Sequence, residues 1–299
     1  ASGLQGDEAN ARSGSAFDLN LVTTCESITF KDCKFTNNGD AGSTSGAIKI
    51  KVRGGNDETE TSNYIHDGSI TGAVSIIGCT FDDNSRDVVL GTQQKPKTSD
   101  KFTTIYSGGS PIREYNFAVN DSKATDGIAS SFYANGNAVT ISSDDSGKTK
   151  ISWGDEKPYS YSEADAKKLV VFGGSRETNV STSNITMNGG EVYYLVGGGF
   201  SPLELSAGNW TIPSNSKKSE VTTSNITVSG NSKINSVFGG GMGYATVEKA
   251  NVTINGCAEI IYVDGGGYNG HLLDWKSNGY SNVEYGINSN ASGELKDKF

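Results

Sequence analysis

The chain has 299 residues, of which 39 are Gly and only 5 Pro, with 34% hydrophobic residues and a formal net charge of −9. Gly at roughly twice its usual share of about 7%, without a three-residue period, excludes collagen, and no run of about 18 apolar residues is present to form a transmembrane helix. An acidic chain with no Lys/Arg stripe repels phosphate and so excludes generic nucleic-acid binding, recurring Val/Ile/Phe/Tyr runs exclude full disorder, and abundant Gly, Ser, Thr and Asn disfavour a helical bundle.

A start at Ala1, with no initiator Met and no charged-then-apolar leader, is expected of a processed or truncated chain. Four cysteines, Cys25, Cys33, Cys79 and Cys257, are too few for a disulfide scaffold. No C-x-x-C occurs and His66 and His271 are the only histidines, so a zinc site is not expected. The cysteines read as small buried side chains, with a Cys25–Cys33 or Cys33–Cys79 bridge as the alternative.

Near the N-terminus, Ser27-Ile-Thr-Phe-Lys-Asp-Cys-Lys-Phe-Thr-Asn-Asn38 matches Val74-Ser-Ile-Ile-Gly-Cys-Thr-Phe-Asp-Asp-Asn84. Phe35 maps to Phe81, Asn38 to Asn84 and Cys33 to Cys79, each 46 residues on, which reads as two coils of 23. Ser45-Gly-Ala-Ile-Lys-Ile50 would supply the intervening strand. In Phe35-x-x-Asn38, Phe81-x-x-Asn84 and Ser45-Gly-Ala-Ile48 the chain resembles polymorphic outer-membrane proteins and related adhesins. That resemblance, over roughly residues 25–90, implies a right-handed parallel β-helix of the pectate-lyase-like kind, at a cell surface or outside the cell.

Residues 91–165 are less regular, with strands expected at 102–106, 115–119 and 138–141 and a turn at Asp144-Asp-Ser-Gly147. Ser162-Glu-Ala-Asp-Ala-Lys-Lys168 reads as one helical turn, capped by Ser162 with Asp165 completing a box-like pattern. Beyond it the repeat changes. Three segments beginning at Asn184, Asn225 and Asn251 each run from Asn-Ile/Val-Thr through a Gly/Asn turn to a Gly triplet starting at Gly197, Gly239 or Gly265. In a partial copy, Leu169-Val-Val-Phe-Gly-Gly-Ser175, the glycines start at Gly173, so the spacings are 24, 42 and 26, and the surplus in the longest is Phe200 to Glu220. Apolar residues alternate with Thr, as in a strand with one buried face, and a unit of about 25 residues is too short for βαβ. Strands of successive units must then stack in parallel, which predicts an all-β parallel β-solenoid with coils of about 23–26 residues. Corner glycines are expected to supply positive φ and close approach, and the repeat asparagines to form turns. This Gly-triplet region resembles repeats in large secreted surface proteins of bacteria. The expected organisation is 1–125 N-terminal coils, 126–168 irregular insertion, 169–275 Gly-triplet coils and 276–299 a cap or tail.

Parallel β-helices also host polysaccharide lyases and glycosidases, so carboxylates matter. Glycosidases need two acids about 5–9 Å apart, a separation that neighbouring coils could supply. Asp82, Asp83 and Asp87 form one weak catalytic set, and Asp264, His271 and Asp274 another. Asp264 replaces the Val196 and Phe238 of the other copies, yet an acid beside a Gly corner is ordinarily a solvated one. The acids and Arg base of a pectate lyase cannot be assembled, and of the polygalacturonase motifs only Gly270-His271 remains. Asn56-Asp-Glu58 and Asp82-Asp-Asn84 are the places for a Ca²⁺, but they lack the spaced ligands of a defined loop, so no cofactor is expected. Aromatic residues on loops over a rigid scaffold grip sugars and proteins, which makes Phe200, Trp210, Tyr244 and Tyr268 the binding candidates. The expected function is a non-enzymatic extracellular adhesin module that binds a glycan or a host protein, without membrane insertion. A β-helical lyase or glycoside hydrolase, including a phage tail depolymerase, is the alternative, and a structural stalk or self-assembling unit the second.

Overall fold

The structure is a computed structural model that describes residues 14–39, 45–56, 65–93, 103–119, 130–206, 209–256, 258–267 and 282–287. Cys257, Tyr268, His271, Asp274 and most of the expected tail 276–299 lie outside these residues. The chain is all-β and divides into two compact units: residues 1–105 with 112–130, and residues 106–111 with 131–299.

In chain order the first strands are β1 (Phe17–Leu21), β2 (Thr24–Cys25), β3 (Ile28–Lys31), β4 (Lys34–Thr36), β5 (Ile48–Asn56), β6 (Ile65–Asp67), β7 (Ser69–Ile70), β8 (Ala73–Ile77), β9 (Thr80–Asp82), β10 (Val88–Gln93), β11 (Thr103–Ser107) and β12 (Ile112–Val119). Within the first unit β1, β5, β10 and β12 pair side by side in parallel, with Phe17 opposite Ile48, Ile48 opposite Val88 and Val88 opposite Glu114. The next strands of the chain repeat the pattern: β2 pairs β7, β3 pairs β8 and β4 pairs β9, all parallel. Apolar residues at alternate positions, such as Ile48, Ile50 and Val52, are buried, as the period-two pattern requires.

One expectation is overturned here. Phe35 and Phe81 are direct neighbours across the β4–β9 pair, so the 46-residue interval is one step and not two coils of 23. The strand expected to lie between them, β5, belongs to a different sheet and pairs with β1 and β10. A tip at β5–β6 doubles back antiparallel, with Gly55 opposite His66, and lengthens that step. Steps between stacked partners therefore vary, from 46 between Asn38 and Asn84 to 26 between Asp87 and Arg113.

The remaining elements are β13 (Ser130–Tyr133), β14 (Val139–Ser143), β15 (Thr149–Ser152), β16 (Tyr159–Tyr161), helix α1 (Glu163–Ala166), β17 (Val170–Phe172), β18 (Val180–Val196), β19 (Phe200–Ser201), β20 (Glu204–Ser206), β21 (Asn209–Thr211), β22 (Glu220–Phe238), β23 (Met242–Gly243), β24 (Thr246–Ile254), β25 (Glu259–Asp264) and β26 (Asn282–Ile287). The predicted turn forms as read, with Asp144 Oδ1 accepting from Ser146 and Lys148 backbone N–H at 2.9 Å. So does the helical turn, where Ser162 Oγ accepts from Asp165 N. These elements belong to an antiparallel excursion, β14–β15–β16, which packs Ile141, Ile151, Trp153 and Tyr159 into the core.

The long strands carry the second unit. β18 pairs β22 in parallel, and β22 pairs β24 and then β25. The register follows the repeat alignment, with Asn184 opposite Asn225 and Asn225 opposite Asn251, and slips by one residue between Asn188 and Gly190. Ile185, Ile226 and Val252 consequently form one buried column, and Met187, Val228 and Ile254 the next. Each such side chain removed from water contributes about 1.5–3 kcal/mol.

The repeat asparagines are not turns. They sit inside the strands, on the side opposite that core, and form a ladder: Asn251 Nδ2 donates to Asn225 Oδ1 at 2.8 Å, and Asn225 Nδ2 to Asn184 Oδ1 at 2.9 Å. Positive φ also falls elsewhere than expected. It occurs at Gly189, Gly190, Gly230 and Gly256, where the turn between the two strand segments was read, and not at the triplets. The triplets provide close approach alone. Gly198 N donates to Gly240 O at 2.8 Å and Gly240 N to Gly266 O at 2.7 Å, stacking corner on corner. A Cβ on Gly198 would sit 2.7 Å from Gly241 Cα and from Val247 Cγ2. Gly198→Ala should therefore lower stability by about 1–3 kcal/mol, read as a reduced urea midpoint at unchanged slope.

Candidate functional site

The surplus residues in the longest repeat interval build the feature that the stacked strands do not require. β19 pairs β23, Phe200 opposite Met242, and the chain then leaves as an antiparallel hairpin in which β20 faces β21, Leu205 opposite Trp210. The returning segment is held at its foot by buried polar groups. Glu177 Oε2 accepts from Ser216 Oγ at 2.9 Å and from Lys217 N at 2.8 Å. Tyr244 Oη donates to Ser216 Oγ at 2.9 Å. Ser219 N donates to Ser201 Oγ at 2.7 Å, and Ser219 Oγ is shared between the carbonyls of Ser175 and Thr178.

Glu177 is the centre of this anchor. It is buried and has φ +56°, a backbone state that costs a non-glycine residue on the order of 1–3 kcal/mol. Charge-assisted hydrogen bonds at about 1.5–3 kcal/mol each offset that strain. Burial pushes the Tyr244 phenol above its ordinary value, opposed by the Ser216 hydrogen bond and reinforced by the nearby Glu177 charge. The phenol therefore stays protonated and able to donate.

The aromatic candidates divide accordingly. Tyr244 is only 6% exposed and Phe200 is half-buried, its ring 5.9 Å from that of Phe172 and 5.3 Å below the Arg176 guanidinium. Both support the foot of the insertion and do not stand free on a loop, which corrects that part of the reading. Trp210 lies on the hairpin, and Tyr268 is outside the described residues. Sequence reasoning missed a different exposed set: Tyr193 at 38%, Tyr262 at 50% and Ile261 at 79%. Rings run across the strands here, from Tyr193 stacked on Tyr194 at 4.2 Å to Phe238 at 5.5 Å and Tyr262 at 6.1 Å. The signal was present in the aligned copies, where large residues fill a column that reads Asn235-Ser236 in the middle one.

Of the carboxylate candidates, Asp87 and Asp264 have structural occupations. Asp87 is fully buried and grips Arg113: Oδ1 lies 3.1 Å from Nη2, and Oδ2 accepts from Nε at 3.2 Å and from the backbone N at 2.9 Å. Arg113 also donates to the Asn84 carbonyl at 2.6 Å. Asp83 is an exposed turn residue with φ +49°, and Asp82 lies opposite Thr36 in the β4–β9 pair. Asp264 locks its own corner, accepting from Gly266 N at 2.8 Å and from Tyr262 Oη at 3.1 Å. His271 and Asp274, proposed to join it, are outside the described residues.

Asn84 is engaged in the layer contact rather than available to a cation. It accepts from Asn38 Nδ2 at 2.7 Å and donates to the Phe35 carbonyl at 3.0 Å, while Phe35 and Phe81 stack at 5.2 Å with ring planes 11° apart. Cys25, Cys33 and Cys79 are free thiols, Cys79 buried and the other two half-buried. Among the described residues no group of three or more His, Cys, Asp or Glu is placed to hold a metal ion. Compared with known proteins, the chain matches no family model, no curated protein and no solved structure.

Two outcomes follow from these contacts. Arg113→Met leaves Asp87 buried without its partner and should destabilise the chain by about 3–5 kcal/mol in urea unfolding. Glu177→Gly relieves the backbone strain but removes the anchor. It should speed limited proteolysis within 202–219 by roughly tenfold or more, with the cleavage elsewhere unchanged.

Proposed function

We propose that the chain is a parallel β-solenoid whose stacked layers serve as a rigid support for binding, in an extracellular adhesin-type module without catalytic activity of its own. One observation carries this reading. Between Asn184 and Asn225 the chain takes 41 residues to make the step that Asn225 to Asn251 makes in 26, and the additional length forms a hairpin whose returning segment is held at Ser216 and Lys217 by a buried carboxylate. Ordering such a segment in advance removes part of the entropy that a ligand would otherwise have to overcome, which is how preorganised loops gain affinity.

The ligand class follows from charge and side-chain chemistry. A chain at −9 repels uronic, sulfated and sialylated polymers, so a neutral glycan is favoured. Trp210, on the hairpin, is an aromatic residue of the kind that stacks on the apolar face of a pyranose. The resemblance of the Phe-x-x-Asn and Gly-triplet motifs to surface proteins supports the extracellular placement. The structural engagement of Asp87 and Asp264 supports a binder over a lyase or hydrolase.

The test is retention and polymer length followed together on immobilised neutral and acidic polysaccharides. Binding to a neutral polymer without shortening, lost at least tenfold in Trp210→Ala and in a chain with residues 203–212 replaced by Gly-Ser, is the expected result. Shortened polymer would replace this reading with a polysaccharide-cleaving enzyme, and retention on acidic polymers alone would overturn the ligand class.

A further inference from the structure

We propose that Cys33 and Cys79 are a disulfide-forming pair that cross-links two adjacent strand layers when the chain meets a small-molecule disulfide. The two residues occupy the same position on neighbouring corners. Asp32 N donates to Ile77 O at 2.8 Å on one side of them, and Thr80 N donates to Cys33 O at 2.9 Å on the other. With Lys31 opposite Ile77 and Lys34 opposite Thr80, the register sets Cys33 directly opposite Cys79. Neighbouring parallel strands are about 4.8 Å apart, inside the roughly 4.4–6.8 Å between Cα atoms that a disulfide spans.

The side chains also agree in direction. Cys33 Sγ donates to the Lys31 carbonyl at 3.3 Å and Cys79 Sγ to the Ile77 carbonyl at 3.5 Å, the same acceptor two residues back in each layer. The thiols are therefore stacked and not splayed. Each corner bends at a positive φ, Asp32 at +52° and Gly78 at +61°, outside the regular strand. Burial pushes the Cys79 thiol above its ordinary value, and Cys33 is among the groups acting on it. Cys25 supplies an internal control, because its partner across β2–β7 is Ile70.

The chemistry balances with a disulfide of the glutathione type as oxidant. Cys33, the less buried of the two, attacks one sulfur of the small disulfide as its thiolate, giving a mixed disulfide and releasing one small thiol. The Cys79 thiolate then attacks the Cys33 sulfur, forming the Cys33–Cys79 bond and expelling the second small thiol. Two electrons leave the protein and reduce one small disulfide to two thiols, which take up the protons of both cysteines.

The experiment uses the full chain, reduced and native, exposed to oxidised glutathione at mildly alkaline pH, then alkylated, digested without reduction and mapped by mass. A linked pair of peptides containing Cys33 and Cys79, with a loss of about 2 Da relative to the free thiols, is expected. The link should be absent in Cys33→Ser and retained in Cys25→Ser. A stable glutathione adduct on Cys33 with Cys79 still a thiol would overturn the proposal. So would a Cys25–Cys33 link, or both thiols remaining free.

Discussion

In-register parallel pairing is the constraint on which the rest depends. When a strand lies parallel to its equivalent, hydrogen bonds between backbones set identical positions opposite one another, and every side chain meets its own counterpart. Apolar residues gain from this, since Ile185 above Ile226 above Val252 makes a dry column. Amides gain as well, because an Asn offers both a donor and an acceptor and can bond to a copy of itself indefinitely. Charges do not. The chain alternates them, with Glu191 opposite Lys233 and Lys233 opposite Glu259, the last pair 4.0 Å apart. An exposed pair of this kind adds at most about 1 kcal/mol. Its larger effect is to avoid the repulsion that three like charges would create.

The same rule explains why residues that look chemical are structural. Asn84 and Asn38 bond to each other across layers, and Phe35 lies flat on Phe81, so the Phe-x-x-Asn motif is a description of a layer contact. Asp87 shows the buried form of the argument. A carboxylate with no accessible surface persists as a charge only when its lone pairs are matched, and Arg113 matches them with two guanidinium nitrogens and its own backbone N–H. The arrangement ties a strand to the turn that precedes its neighbour.

Legibility from the amino-acid sequence followed how local each signal was. The repeat alignment at Asn184, Asn225 and Asn251 translated directly into register, because parallel stacking and sequence alignment ask the same question of the chain. The cap at Ser162 and the turn at Asp144 were readable because their hydrogen bonds close within a few residues. The 46-residue interval was not, since a spacing alone cannot distinguish one long step with a tip at β5–β6 from two short ones. Glycine was ambiguous in the same way. A missing Cβ serves positive φ at Gly230 and close approach at Gly198, and only the backbone around each tells which. Phe200 and Tyr244 were misjudged because adjacency to a Gly corner says nothing about which side of the corner is covered.

The anchor beneath the hairpin shows why a scaffold of ladders needs a non-repeating device. A ladder holds only segments that have a copy above or below, and it reaches the returning segment only at Ser219, whose carbonyl accepts from Thr246 N; Ser216 to Lys218 pair with no strand. Their backbone groups must find partners elsewhere or remain with water, which would leave the segment free to move. Glu177 supplies the missing partner from a backbone state of positive φ, and Tyr244 and Ser201 complete it from two further corners. Strain at one residue is thereby exchanged for order in the insertion. That exchange is stable only because the layers on which Glu177, Ser201 and Tyr244 stand are themselves fixed by the backbone pairing, so the rigidity of the hairpin's foot is a consequence of the ladders and not an independent property of the loop.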